Sequence, residues 1–201
     1  MRKFNLLITL LILFGTFLNL QSQNKFSNRK IDNLKNQAAQ LVENDKKMTQ
    51  VMIDKVFSFG ELGFQEFETS KYLSSILEEN GFDVEYEISN IPTSWLATWS
   101  NGNGGPIIAL GSDFDGVPST SQYPGVAYEK PVVEGAPGHG EGHNIGVPIV
   151  ITAALALKKI MIENNINGTL LLWPGVAEEI LGSKAWYVRD GYFDNVDMRI
   201  F

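Results

Sequence analysis

The spacing of apolar and polar residues predicts alternating helices and strands along most of the chain. Apolar side chains recur at helical intervals over 31–59, and a second helical pattern over 66–79 ends at Asn80-Gly81. The alternation over 82–88 is typical of a half-buried strand, and another strand is predicted at 95–99. The first half of the chain therefore predicts two helices followed by two strands.

Two uninterrupted apolar runs, at 106–111 and 168–173, predict the strands at the centre of a sheet. Strands buried on both faces have such runs because neither face meets water. Three more elements complete the pattern: a helix at 145–164, a short helix at 183–189 and a strand at 196–201. The order strand, helix, strand, helix, strand implies an α/β sheet with helices on its faces.

The sequence of 201 residues ends inside its last predicted strand, with no turn or cap after it. Natural domains rarely end in this way, although the apolar content of 44% is enough for the core of one domain. We therefore expect residues 23–201 to be the N-terminal part of a longer, truncated domain.

Residues 1–22 have the pattern of a secretory signal peptide. Arg2 and Lys3 precede an apolar run over 6–20, and the small residue Ser22 follows shortly after it. We expect cleavage after Ser22 and export to the periplasm or the extracellular space, which leaves no membrane partner. The run is shorter than the roughly 18–20 apolar residues that a membrane span needs, but an uncleaved anchor is the alternative.

Composition restricts the partners and the ligand chemistry. The formal net charge is −7, with 16 basic and 23 acidic residues, which argues against nucleic acids and anionic membranes as partners. The chain has no cysteine. Any bound metal must therefore be held by carboxylate and imidazole groups.

Acidic residues follow both central strands. The strand at 106–111 leads into Asp113 and Asp115, and the strand at 168–173 leads into Glu178 and Glu179. Ligands bind beyond the carboxyl ends of the strands in open α/β sheets, so these acids are expected at one functional edge. The alternatives are a solvated loop, a helix cap or, for the two aspartates, turn formation.

A long loop over 116–144, rich in glycine and proline, holds both histidines of the chain. His139 and His143 lie four residues apart with Glu141 between them, and these residue types suit zinc or manganese. Structureless loops of this length are often functional. A flexible loop whose histidines face water or cap helices is the alternative.

The glycines at 140, 142 and 146 precede a helix and could also indicate a nucleotide loop. A phosphate site presents backbone N–H groups to an anion, and Glu141 in that turn would repel the phosphate. No strand leads directly into the turn, and the lysine of a P-loop is missing. Dinucleotide binding is therefore not favoured.

Four motifs occur in the order and spacing of one known family. They are Glu-Leu-Gly-Phe-Gln-Glu at 61–66, Asp-Phe-Asp-Gly-Val-Pro at 113–118, Gly-His-Gly-Glu-Gly-His-Asn at 138–144 and Ala-Glu-Glu at 177–179. The chain resembles the metallopeptidase family of aminoacylases, hippurate hydrolases and indole-acetyl-amino-acid hydrolases, and within it the p-aminobenzoyl-glutamate hydrolase branch. The resemblance implies a zinc-aminopeptidase-like α/β sheet with helices on both faces, of which 23–201 would be the N-terminal part.

The resemblance also implies a site for two divalent metal ions, zinc or manganese. Glu141, His143 and Glu179 would be metal ligands, Glu178 would be the general base, Asp115 would orient the site, and His139 would lie nearby without being a primary ligand. The branch usually has cysteine at position 141 and proline at position 176, where this chain has Glu141 and Val176. A carboxylate at 141 can bridge two metals and shifts the expected preference from zinc towards manganese.

The implied activity is cleavage of an amide bond in an N-acyl amino acid, an N-aroyl amino acid or a small peptide. The full-length enzyme could be a homodimer, and the present chain alone is expected to be inactive because the family draws further ligands from later sequence. One alternative is a non-catalytic member of the fold that binds metal or peptide in the cell envelope. Another is an envelope module whose acids bind calcium, which prefers six to eight oxygen ligands and is disfavoured by the two histidines.

Overall fold

The computed structural model describes residues 26–201, so the predicted signal at 1–22 lies outside the described residues. Residues Gln37–Phe201 form one compact unit, and the sheet belongs to it. The helices are α1 (Asn28–Asn44), α2 (Lys46–Phe59), α3 (Phe67–Glu79), α4 (Gly146–Glu163) and α5 (Lys184–Arg189). The strands are β1 (Asp83–Tyr86), β2 (Trp95–Asn101), β3 (Ile107–Asp113), β4 (Gly168–Gly175) and β5 (Met198–Ile200). Short 3₁₀ turns occupy Ile88–Asn90 and Glu178–Ile180.

The five strands form one mixed sheet in the order β1-β2-β4-β3-β5. Strand β3 runs parallel to both β4 and β5, whereas β2 runs antiparallel to β4 and to β1. Helix α4 lies in the connection between the parallel neighbours β3 and β4. Parallel strands need a long crossover connection, which is usually a helix. The predicted α/β class is confirmed.

Helices cover both faces of this sheet. Gly111 and Ser112 are consecutive residues of β3, so they face opposite sides. Gly146 at the start of α4 lies so close to Ser112 that an added Cβ would meet its Oγ at 2.0 Å. On the other side, Gly111 contacts the ring of Trp173, which packs edge-on against Tyr187 of α5 at 6.0 Å. Helices α4 and α5 therefore lie on opposite faces, as predicted.

The core lies between the sheet and the helices packed against it. Leu172 of β4, Ile151 of α4, Leu73 of α3 and Val56 of α2 are all completely buried. Burial of each such side chain contributes about 1.5–3 kcal/mol to folding. Strand β4 is buried as its apolar run indicates, at every residue except Thr169. The run at 106–111 is buried only from Ala109 onwards, since Ile107 and Ile108 are half-buried.

The prediction of one helix over 31–59 is wrong, because the chain breaks at Asp45 into α1 and α2. Asp45 has φ −92° and ψ 3°, and its N–H is shared between the carbonyls of Leu41 and Val42 at 3.1 and 3.2 Å. Such bifurcated bonds are common at helix ends. Aspartate and asparagine compete with the helix for backbone hydrogen bonds, which explains a break at Asn44-Asp45.

The other predicted elements are found with ends that shift by no more than two residues. Strand β1 ends at Tyr86 because Glu87 takes a left-handed conformation with φ 56°. Strands β3 and β4 continue past their apolar runs, where Asp113 pairs with Gly175. Within residues 26–201, no helix has the combined length and apolar character needed to cross a membrane.

Candidate metal centre

Two parallel strands and one loop bring the predicted site residues together. Asp113 at the end of β3 is in register with Gly175 at the end of β4, so the segments that follow leave the same edge of the sheet. The β3 segment reaches Asp115, and the β4 segment turns at Glu178–Ile180. The long loop pairs with itself at Val117 and Gly138 before it reaches α4. The histidine segment that follows Gly138 is therefore held beside the sheet edge.

Four side chains at this edge could hold a metal ion. Glu141, His143, Glu178 and Glu179 each offer one ligand atom, and these atoms lie within 4.8 Å of one another. His143 Nε2 is 3.6 Å from Glu141 Oε2, and His143 Nδ1 is 3.8 Å from Glu179 Oε1. Ligand bonds to zinc are about 2 Å long, so two ligands of one ion lie within about 4 Å of each other. The distance from His143 Nε2 to Glu141 meets this limit, and the cluster as a whole has the donor atoms of a metal site.

Asp115 connects the two halves of this cluster. Its side chain is buried, and its Oδ1 lies 3.1 Å from His143 Nδ1 while its Oδ2 accepts the Glu179 N–H at 3.0 Å. The hydrogen bond to Asp115 is the main reason that the pKa of His143 is raised to about 9. Because Asp115 engages Nδ1, Nε2 is the ring nitrogen that remains for a metal. The orienting role of Asp115 stays a prediction, and these two contacts are consistent with it.

Glu179 lies in surroundings that a cation would suit. Its pKa is raised to about 7, mainly by its interaction with the Glu141 carboxyl and further by burial. Among the residues that the structure describes, Glu179 Oε1 is buried and accepts no hydrogen bond. A carboxyl whose pKa is raised by a neighbouring carboxyl is typical of a site that takes up a proton or a cation. The donor set therefore fits a divalent metal ion.

Asp113 and Lys184 form an ion pair beside Glu178. Lys184 Nζ lies 2.9 and 3.0 Å from the two carboxyl oxygens of Asp113, and 3.8 Å from Glu178 Oε1. Burial raises the pKa of Asp113 to about 6, although Lys184 opposes the shift. Sequence reasoning assigned no role to Lys184, because a lysine in the first turn of a short helix carries no distinguishing signal.

Glu66 is the second residue that sequence reasoning left without a role. It is completely buried, and its two oxygens accept hydrogen bonds from the Ala177 N–H at 2.9 Å and the Thr93 hydroxyl at 2.8 Å. Ala177 has φ 56° and ψ 42°, a left-handed conformation that costs a non-glycine residue about 1–3 kcal/mol. Its position in the motif 61–66 was the available signal, but the motif does not reveal that Glu66 reaches the turn after β4.

His139 lies apart from the four candidate ligands. It is buried, its Nε2 is 3.1 Å from the Val56 carbonyl oxygen, and burial lowers its pKa. The contact connects the histidine segment to α2, and no atom of His139 belongs to the ligand group. The expectation that His139 is not a primary ligand agrees with this placement.

Comparison with known proteins identifies relatives over the same region. The chain is 35% identical over 156 residues to one of the subunits of p-aminobenzoyl-glutamate hydrolase of Escherichia coli strain K12, a match that covers 78% of this chain and 32% of that protein. It is 33% identical over 139 residues to hippurate hydrolase of Campylobacter jejuni, which covers 68% of this chain and 33% of that protein. The chain belongs to this amidohydrolase family. The resemblance inferred from the four motifs is confirmed.

The chain spans about a third of the length of these relatives. None of the models that describe known protein families matches it. A solved structure of Bacillus subtilis YXEP, described as a dinuclear metal-binding peptidase of the M20 family, has the same fold with a TM-score of 0.57. That alignment covers 77% of this chain and 42% of YXEP at 22% identity.

Proposed function

We propose that this chain is part of a metal-dependent amidohydrolase that cleaves the amide bond of an N-acyl or N-aroyl amino acid or of a small peptide. The observation that carries the proposal is the convergence of Glu141, His143, Glu178 and Glu179 within 4.8 Å at one edge of the sheet. The relative from Escherichia coli is named for p-aminobenzoyl-glutamate, an amide of this class. A small-molecule substrate is therefore the proposed partner.

We further propose that Glu141, His143 and Glu179 are ligands of a pair of divalent cations, zinc or manganese. Bound ions of this kind acidify a water molecule and polarise an amide carbonyl. Two ions that share one carboxylate need more ligands than these three residues. We propose that the other ligands, and the contacts of any homodimer, come from the part of the enzyme that this chain does not span.

Glu178 is the proposed general base. Its carboxylate belongs to the cluster and lies 3.8 Å from Lys184, which holds a positive charge on one side of it. Glu178 would take a proton from water at a carboxylate oxygen and return that proton to the leaving amine. Asp115 would keep His143 oriented and hold the Glu179 backbone in the meantime.

Loss of metal on mutation of Glu141 tests the ligand assignment. In the full-length enzyme, Glu141→Ala should lower the zinc or manganese content after dialysis, because it removes the carboxylate whose Oε2 lies 3.6 Å from His143 Nε2. Glu141→Asp or Glu141→Cys should keep part of the metal, since both supply a donor atom. Glu129→Ala, an exposed acid of the same loop, is the matched control and should change nothing. Unchanged metal content in Glu141→Ala would refute the assignment, and metal uptake without amide hydrolysis in the full-length enzyme would favour a non-catalytic protein.

The export of the protein also remains a proposal, because it depends on residues 1–22. If a signal peptide is cleaved after Ser22, the native protein should begin at Gln23. Mass spectrometry of protein from the native source measures this directly. Retention of Met1 to Ser22 would instead indicate a membrane anchor.

A further inference from the structure

We infer that Glu66 is a positioning residue for the metal centre, and that it acts by holding the backbone of the turn that carries Glu178 and Glu179. Within residues 26–201, the Glu66 carboxyl forms no hydrogen bond or ion pair with the four candidate ligand side chains. It precedes α3, yet it accepts the N–H of Ala177, 111 residues later in the chain. Nothing in the sequence motif or in the relatives' names assigns it this task.

The burial of the Glu66 carboxyl requires hydrogen-bond partners for its two oxygens. The side chain is completely inaccessible, and removing a carboxyl from water is unfavourable unless its oxygens gain good partners. Both oxygens have a donor: the Ala177 N–H donates to Glu66 Oε1 at 2.9 Å, and the Thr93 hydroxyl donates to Glu66 Oε2 at 2.8 Å. An apolar residue of similar size would fill the same space without the cost of burying a polar group. The hydrogen bond that the carboxyl accepts from the Ala177 N–H therefore explains why a carboxyl is found at this buried position.

The turn that receives this contact is held at two points. Glu66 binds the N–H of Ala177, and Asp115 binds the N–H of Glu179 at 3.0 Å. Glu178 lies between these two fixed amides. Ala177 is left-handed, and Gly63 packs so tightly on it that an added Cβ would lie 2.9 Å from the Ala177 Cα. The direction of both acidic side chains thus depends on a backbone conformation that Ala177 would not favour alone.

Removal of the Glu66 carboxyl should release this turn. In Glu66→Leu the Ala177 N–H is left buried without an acceptor, so the turn should open and Glu179 should move relative to His143. Glu66→Gln should keep the turn, because its amide oxygen accepts from Ala177 and its NH₂ can donate to the Thr93 hydroxyl. Thr93→Val is the matched control, since it removes the other hydrogen bond of Glu66 and leaves the Ala177 contact in place.

Two measurements on the full-length enzyme test the inference. The first is amide hydrogen exchange at Ala177 and Glu179, which needs no metal and does not depend on the proposed function. The second is the affinity for Mn²⁺ or Zn²⁺ by chelator competition, which rests on the proposed metal centre. Loss of a residue behind the ligands typically lowers metal affinity about 10–100-fold. We expect Glu66→Leu to lose protection at Ala177 and to lose affinity in that range, while Glu66→Gln and Thr93→Val stay near the parent in both.

A loss of stability could imitate this result, and a further variant separates the two. Ala177→Gly relieves the left-handed strain, so Glu66→Leu with Ala177→Gly should regain thermal stability. The inference requires that this double variant still binds metal as weakly as Glu66→Leu, because a glycine turn without an anchor is less ordered. Recovery of affinity together with stability would overturn it. So would normal Ala177 protection or normal affinity in folded Glu66→Leu, or an equal loss in Thr93→Val. A full-length parent enzyme that binds neither ion would refute the proposed function, and amide exchange would then decide on Glu66 alone.

Discussion

His143 is the residue at which metal binding and protonation compete. Its pKa of about 9 means that the metal-free imidazole is charged at pH 7, and a charged imidazole cannot bind a metal. Metal uptake at pH 7 should therefore release about one proton from His143, with a further contribution from Glu179, whose pKa is raised to about 7. Metal affinity should fall as the pH is lowered below 9.

Titration calorimetry of Zn²⁺ binding in two buffers of different ionisation enthalpy counts these protons. Asp115→Asn should release fewer, because the hydrogen bond that raises the pKa of His143 loses its charge. Glu129→Ala, remote from His143 in the loop sequence, should match the parent. Equal proton release by the parent and Asp115→Asn would contradict the prediction.

Glu178 and Glu179 should separate by phenotype although they are adjacent. In the full-length enzyme, Glu178→Gln should keep its metal and lose about 10²–10⁴-fold in kcat, the usual cost of removing a general base. Glu179→Gln should lose metal as well, because its carboxyl lies 3.8 Å from the His143 ring and next to Glu141. Metal analysis alongside steady-state kinetics distinguishes the two variants. A near-normal kcat in Glu178→Gln would remove this residue from the mechanism.

At the scale of elements, the Asp113–Lys184 pair joins the end of β3 to the start of α5. The pKa of Asp113 is about 6 in the folded chain, against an ordinary value of 3.8, so the folded state holds more protons between these values. Its contribution to stability is greatest below about pH 4 and is lost as the pH rises through 6. The shift in the pKa of Asp113 from 3.8 to about 6 corresponds to a loss of about 3 kcal/mol in the free energy of unfolding.

Urea unfolding of the metal-free chain between pH 4 and 7 measures this loss. Asp113→Asn should lack it, because an amide does not titrate, so the stability difference between variant and parent should change with pH in that window. Lys184→Met should enlarge the loss, since Lys184 lowers the pKa of Asp113. Parallel pH profiles for the parent and Asp113→Asn would show that Asp113 does not titrate in this range.

The elements that the sequence predicts well are those fixed by local hydrophobic periodicity. The runs in β3 and β4 and the helical pattern of α4 are long enough to dominate their neighbours. The break at Asp45 is missed because apolar positions continue on both sides of it. The turn after Ala177 is missed for another reason, since a left-handed alanine follows from contacts with Glu66 and Gly63 that are distant in sequence.

For the whole molecule, residues 23–201 alone should bind metal weakly and hydrolyse no amide substrate. Three proposed ligands do not complete two metal sites. Strand β5 is exposed throughout, including its apolar residues Met198 and Ile200, and Phe201 after it is also exposed. An exposed apolar edge strand promotes aggregation. Hydrolysis assays with and without a chelator, together with light scattering, check both expectations. Strong chelator-sensitive hydrolysis by this segment would mean that another copy or subunit completes the site.

The candidate site was predictable to the extent that its residues lie in short motifs. Glu141, His143, Glu178 and Glu179 were all named from the sequence, and the structure brings them together. Glu66 and the pair of Asp113 and Lys184 could not be assigned, because the contacts that decide their roles span 111 residues from Glu66 to Ala177 and 71 residues from Asp113 to Lys184. The ligands can be predicted because they lie in short sequence motifs. The residues that hold those ligands in place become apparent only in the folded structure.

The hydrogen bonds that hold the turn at 177–179 have a consequence for how this site could be re-engineered or could diverge. Glu66 and Asp115 hold backbone N–H groups, at Ala177 and Glu179, and not the side chains of the acids themselves. The shape of the turn is thus decoupled from the identity of the residues at 178 and 179. A designer could exchange those two side chains for other donors, such as aspartate or histidine, on an unchanged backbone. The same property would let natural variants retune metal preference in single steps, without first rebuilding the loop.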